Sequence, residues 1–227
     1  MHYLATYLAL CGALFLTTEA HAQSADDAGF SAYQRGDFAA AATLWQQACT
    51  GGNAMDCTNF GLLYQQGQGV AKDEARAAGL FEQACTGGNA KGCTKLALLY
   101  QQGRGVAKDE ARAAELFQQA CTGGHTIGCT NLGLAYTKGR GVTKDEIRAA
   151  GLFKQACADG EAMGCFGLGY LYQDGRGVTK DTARAIQLYR RALTLNTDPE
   201  SASTIQAAID RLSAASTPKV TKRKARH

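Results

Sequence analysis

Proline is nearly missing from this chain of 227 residues: there are two, Pro199 and Pro218. Proline interrupts helix interiors, so its absence before Pro199 leaves that whole stretch open to uninterrupted helix. Histidine is scarce as well, and His125 is the only one in the central region. No His-Glu-x-x-His, no Gly-x-Ser-x-Gly and no glycine-rich loop followed by Lys-Ser/Thr occurs, which excludes the familiar zinc-hydrolase, serine-hydrolase and phosphate-loop signatures. Long apolar runs are missing too. Leu4–Leu16 is the single candidate, and a bilayer needs about 20 apolar residues. The net charge of +4 is carried by the end of the chain, where Lys219, Lys222, Arg223, Lys224 and Arg226 cluster; residues 23–218 are close to neutral. Nucleic acid is therefore not an expected partner.

What the chain does have begins with a leader-like segment. Tyr3–Thr18 holds the apolar core, and Ala20-His21-Ala22 offers a small-x-small cleavage pattern, although His2 stands where Lys or Arg is usual. Cleavage after residue 22 is expected, with no stable membrane span afterwards. It would remove Cys11, the odd one of nine cysteines, and leave eight. An even count suits an exported chain, so a periplasmic or secreted location is expected.

Those eight cysteines lie on a strict grid. Cys49, Cys85, Cys121 and Cys157 are 36 residues apart, and Cys57, Cys93, Cys129 and Cys165 follow each by eight. A fixed period of this length marks a stacked repeat, in which each unit buries its apolar face on its neighbours. In register, the loops read Gly67-Gln-Gly-Val-Ala-Lys-Asp73, Gly103-Arg-Gly-Val-Ala-Lys-Asp109, Gly139-Arg-Gly-Val-Thr-Lys-Asp145 and Gly175-Arg-Gly-Val-Thr-Lys-Asp181. Before each loop a helical stripe recurs, as in Cys57, Phe60, Gly61 and Tyr64. After it comes an alanine-rich second helix such as Glu74–Cys85. The first loop glycine suits a left-handed helix end, and the closing Asp suits a cap on the next helix. Small residues at Gly61, Ala97, Gly133 and Gly169 should let paired helices approach closely.

The expected organisation is a cleaved signal at 1–22, a divergent first unit at 23–49, four 36-residue repeats at 50–195, a capping helix at 196–215 and a basic tail at 216–227. Phe30, Tyr33, Phe38, Leu44 and Trp45 keep the apolar period in the first unit, and Ile205, Ile209 and Leu212 form the stripe of the last helix. Atypical ends are expected where a stack meets water.

The small residue and Tyr of the first helix, the Gly-x-Gly-Val loop, the following Asp and the Ala-Ala-rich second helix together resemble the SEL-one-like repeat, a relative of the tetratricopeptide repeat. The paired cysteines further resemble the exported Hcp-type cysteine-rich proteins. The resemblance implies an all-α fold, a right-handed α/α solenoid of helical hairpins with a concave face, and a role in binding protein or peptide partners. Some Hcp-type proteins are described as penicillin-binding or weakly β-lactam-hydrolysing, so a β-lactamase-like hydrolase is the alternative. The only Ser-x-x-Lys here is Ser216-Thr-Pro-Lys219, read as lying in the tail, and no catalytic residue is assigned.

Each cysteine pair straddles the bend from one unit to the next, as Cys49 to Cys57 does across Thr50-Gly51-Gly52-Asn53. Eight cysteines allow 105 pairings; the repeat makes four local bridges, one per junction, the simplest. Zinc favours shorter spacings and histidine support, so neither metal nor cofactor is expected. If the Tyr stripe points inward, the opposite face of the first helices is free for a partner. That face comprises Met55, Thr58, Leu62 and Gln65; Lys91, Thr94, Leu98 and Gln101; Ile127, Thr130, Leu134 and Thr137; and Met163, Phe166, Tyr170 and Gln173. Leu62, Leu98 and Leu134 could equally pack between repeats. A monomer is expected.

Overall fold

The computed structural model describes residues 28–196 and 198–216. The expected signal peptide and the basic tail from residue 217 onward lie outside the described residues. Within them all regular structure is helical: α1 at 28–34, α2 (Phe38–Thr50), α3 (Ala54–Gln66), α4 (Glu74–Thr86), α5 (Ala90–Gln102), α6 (Glu110–Thr122), α7 (Thr126–Lys138), α8 (Glu146–Ala158), α9 (Ala162–Asp174), α10 (Thr182–Leu195) and α11 (Pro199–Ser216). They form two compact units, α1–α6 up to His125 and α7–α11 from Thr126.

Local chemistry sets the helix boundaries. Gly67, Gly103 and Gly175 end α3, α5 and α9 in the left-handed conformation. Asp73, Asp109, Asp145 and Asp181 accept hydrogen bonds from the amides of Arg76, Arg112, Arg148 and Arg184, capping α4, α6, α8 and α10. The second loop glycine has a different duty. Gly105 and Gly177 have φ of 67° and 66°, and a Cβ on either would overlap the backbone carbonyl of Glu74 or Glu146. Each loop thus lies directly on the first turn of the second helix of the preceding repeat. Arg104 and Arg176, the residues between the two glycines, reach the Glu74 and Glu146 side chains there.

Within a hairpin, a small residue makes room for an aromatic ring. A Cβ on Gly61 would stand 2.6 Å from Phe81, one on Gly133 2.7 Å from Phe153, and one on Gly169 2.8 Å from Tyr189. In the first unit, Ala41, Trp45, Phe60 and Leu63 share one core. In the second, Phe153, Leu168, Leu171, Leu188 and Tyr189 form a core that α11 joins through Ile205 and Ile209, with Leu212 partly buried beside them. Each buried aliphatic or aromatic side chain contributes roughly 1.5–3 kcal/mol.

Ser216 departs from the sequence reading. It closes α11 rather than lying in a tail, because the helical spacing of Ile205, Ile209 and Leu212 carries the helix on to Ser216. Lys219 lies outside the described residues.

Candidate functional site

The junction turns bring each cysteine pair together. A short turn joins α2 to α3, with Gly52 at φ 96°, and closes on the N-cap Asn53. Cys49 and Cys57 are bonded across it with Cα atoms 4.6 Å apart. Cys85–Cys93 and Cys157–Cys165 repeat the arrangement at 4.5 and 4.4 Å, and Cys121 and Cys129 are disulfide-bonded as well. One short ring of this kind removes about 2–3 kcal/mol of unfolded-chain entropy in the usual treatment. Cys49, Cys57, Cys157 and Cys165 are buried; Cys85 is only half-buried.

The structure separates the sixteen surface residues named from the sequence into distinct roles. Met55, Lys91, Ile127 and Met163, at the starts of α3, α5, α7 and α9, are exposed, with Met55 at 50% and Ile127 and Met163 at 46%. Leu62, Leu98, Leu134, Gln65, Gln101, Thr137 and Gln173 are half-buried. Tyr170 is exposed and Phe166 half-buried, its ring 5.2 Å from that of Tyr189. Leu134 and Phe166 also pack against the core of the second unit, so packing and surface display are not exclusive there.

Thr58, Thr94 and Thr130 are corrected. They are 1%, 2% and 5% exposed, buried rather than on an open face. The Thr58 hydroxyl lies 3.1 Å from Oδ1 of Asn89, the residue that caps α5. Thr94 Oγ1 is 2.8 Å from Nδ1 of His125, and the Thr130 hydroxyl donates to Glu161 Oε2 at 2.7 Å. The first helix is covered on a second side by the following repeat, which turns this row inward and gives its hydroxyls a structural task. Thr at 36-residue intervals, opposite Asn89, His125 and Glu161 at the same interval, was the available sequence signal. Leu63, Leu99, Ala135 and Leu171 form a further buried row that the single-stripe reading missed, with Leu63 packed in the core that holds Trp45 and Leu171 in the core that holds Phe153.

His125 sits at the turn position that Asn53 and Asn89 hold in other repeats. Burial, then the positive charges of Lys91 and Lys95, push its pKa below the usual histidine value. Together with its Thr94 contact this describes a histidine held toward its neutral form.

In the second unit a depression of about 310 Å³ is lined by Leu134, Thr137, Phe153, Met163, Phe166 and Tyr170, with Lys138 and Arg176 at its charged edge and Gly167 in its floor. Gly167 was not singled out from the sequence, although the other repeats carry Asn59, Lys95 and Asn131 in its register. No group of three or more His, Cys, Asp and Glu side chains is gathered for a metal ion among the described residues. No helix among them is long and apolar enough to cross a membrane.

Fold and junctions define a disulfide-linked helical-hairpin repeat protein. The Sel1 repeat profile matches residues 57–89, 90–125, 126–161 and 162–196, more than half of the sequence, and the chain belongs to the Sel1 repeat family. Among solved structures, c5321, a protective antigen of uropathogenic Escherichia coli with an SLR fold, superposes with a TM-score of 0.72 at 26% identity, covering 86% of this chain and 48% of that one. A Sel1 repeat protein of Oxalobacter formigenes superposes with a TM-score of 0.67 at 22% identity, covering 76% and 79%. The "Putative beta-lactamase HcpE" of Helicobacter pylori is 32% identical over 69 residues, 28% of this chain and 19% of HcpE. The chain thus spans about half of the c5321 chain, and its likeness to HcpE covers a small part of that protein. Repeats and paired cysteines together place it beside the Hcp-type cysteine-rich proteins.

Proposed function

We propose that this protein is an exported, disulfide-stapled scaffold that captures a protein or peptide partner on the exposed face of its first helices, the concave face that the family resemblance implies. The observation that carries this reading is the depression in the second unit, where Leu134, Thr137, Met163, Phe166 and Tyr170 line a space of about 310 Å³. Its volume and aromatic lining suit a side chain presented by another polypeptide. Junction disulfides persist in oxidising compartments, which supports periplasmic or extracellular residence. Cleavage after residue 22, the division into a first unit at 23–49, repeats at 50–195, a cap at 196–215 and a tail at 216–227, and a monomeric state belong to the same reading.

Selection of displayed random peptides on the immobilised oxidised protein tests it. Peptides should be retained by the wild type and lost by Leu98→Glu or Leu134→Glu at unchanged helical circular dichroism. Failure to retain any sequence above background, with folded protein, ends the reading. The β-lactam alternative rests on the name of HcpE and a local likeness. Nitrocefin turnover that exceeds a mock preparation and disappears in Ser216→Ala would establish it instead.

A further inference from the structure

Gly167 breaks the repeat at one position of the surface. Asn59, Lys95 and Asn131 occupy its register elsewhere, and the loss of a side chain here opens the floor of the depression beside Phe153. Met163 and Phe166 also line an adjoining hollow of about 120 Å³ with Ser201, Thr204 and Ile205 of α11. Two hollows thus flank Met163 and Phe166, the second of them against the last helix, an arrangement that suits an extended chain better than a single side chain.

The charge along the larger hollow has one sign. Lys138 and Arg176 are the charged side chains of the lining. Arg176 donates to Glu146 Oε1 through Nε and Nη2, at 2.9 and 2.7 Å, but Lys144 Nζ lies 3.0 Å from the same oxygen. One carboxylate thus serves two cations, and Lys138 is exposed at the end of α7. The Arg176 guanidinium also stands 5.5 Å over the Tyr170 ring, fixing that edge of the trough. A purely apolar ligand would leave this positive surplus unanswered, and a simple polyanion would leave the half-buried Phe166 and the exposed Tyr170 uncovered.

We propose that the trough over Gly167 takes an extended acidic segment of a partner polypeptide, with an aromatic or large aliphatic side chain seated on Phe153, Phe166 and Tyr170 and flanking Asp or Glu carboxylates against Lys138 and Arg176. This rests on the peptide-binding reading above and adds the chemistry of the segment. Fluorescence anisotropy with the oxidised full chain tests it, using a labelled, end-capped octapeptide that carries one Phe between Asp-rich flanks. Replacing that Phe by Ala should weaken binding at least about tenfold, and replacing the Asp residues by Lys should abolish it. Lys138→Glu should weaken the acidic peptide several-fold and flatten its salt dependence. Gly167→Leu should block the site, but its Cβ would stand 2.9 Å from the Phe153 ring, so the exposed Lys138 supplies the variant that leaves packing alone. Equal affinity for the Asp and Lys peptides, or for the Phe and Ala peptides, overturns the proposal, as does an unchanged Lys138→Glu. Equal binding by an uncapped peptide lacking acidic side chains would assign the carboxylate to a chain terminus and also overturn it. If display selection yields only non-acidic binders that Leu134→Glu abolishes, peptide binding stands and the acidic segment falls.

Discussion

Thr94 Oγ1 and His125 Nδ1 lie 2.8 Å apart, joining the first helix of one repeat to the turn that begins the next. Because burial and the nearby Lys91 and Lys95 lower the His125 pKa, the folded state resists protonation that the unfolded chain accepts. The contribution of this group to stability is complete above the unfolded value near 6.5 and is lost as pH falls toward the lower folded value. Urea midpoints should therefore decline between pH 7 and 5. His125→Asn, which restores the residue found at Asn53 and Asn89, should remove this component of the decline. A wild type and variant with parallel pH profiles would contradict this account.

The two kinds of glycine should respond oppositely to alanine. Gly105→Ala or Gly177→Ala combines a left-handed backbone with overlap against the Glu74 or Glu146 carbonyl, and a loss of about 2–4 kcal/mol is expected from strain and displaced packing. Gly79 lies within α4 with nothing within 4 Å of an added Cβ. Gly79→Ala should stabilise the protein by about 0.5–1 kcal/mol. Equilibrium unfolding of the three variants decides the matter.

The junction bridges should be separable by accessibility. Replacing both Cys85 and Cys93 by Ser should cost about 2–3 kcal/mol. Under mild thiol treatment the half-buried Cys85 should expose its bridge first, ahead of Cys49–Cys57 and Cys157–Cys165, whose sulfurs are buried. Timed alkylation and mass mapping read the order; simultaneous labelling of all bridges counts against it. Non-reduced peptides should also join Cys121 to Cys129.

The threonine row offers a graded test. Thr130 donates to a carboxylate of Glu161, Thr58 to an amide oxygen of Asn89. Hydrogen bonds to charged acceptors contribute about 1.5–3 kcal/mol and neutral ones about 0.5–1.5. Thr130→Val should therefore cost more than Thr58→Val in a thermal or urea melt, and neither change should alter peptide binding, since both side chains are buried. A binding defect in folded Thr58→Val would restore that row to the surface.

Much of this architecture was legible before any coordinates. The caps at Asp73, Asp109, Asp145 and Asp181 and the helix ends at Gly67, Gly103 and Gly175 are local, and each uses residues a few positions away. The disulfides were legible for the same reason, since eight residues of chain with a glycine turn bring their ends together. The threonines were misread because a period of 3.6 residues marks one buried stripe, and a helix sandwiched between hairpins buries two. Which of its sides meets the next repeat is not written in the helix itself. Gly167 was overlooked because a missing side chain acquires meaning only from the rings around it.

The repeat length and the family were legible in the spacing of residues along the chain, and the helix ends and junction cysteines in contacts between near neighbours. Helix packing, by contrast, turns Thr58, Thr94 and Thr130 inward, sets Gly105 and Gly177 against distant carbonyls, and gathers Lys138, Arg176 and three aromatic rings around one glycine. The threonine contacts and the glycine contacts with Glu74 and Glu146 join residues about 31 positions apart, and the surroundings of Gly167 combine α7, α8 and α9 with the loop after α9; their geometry comes from packing between helices.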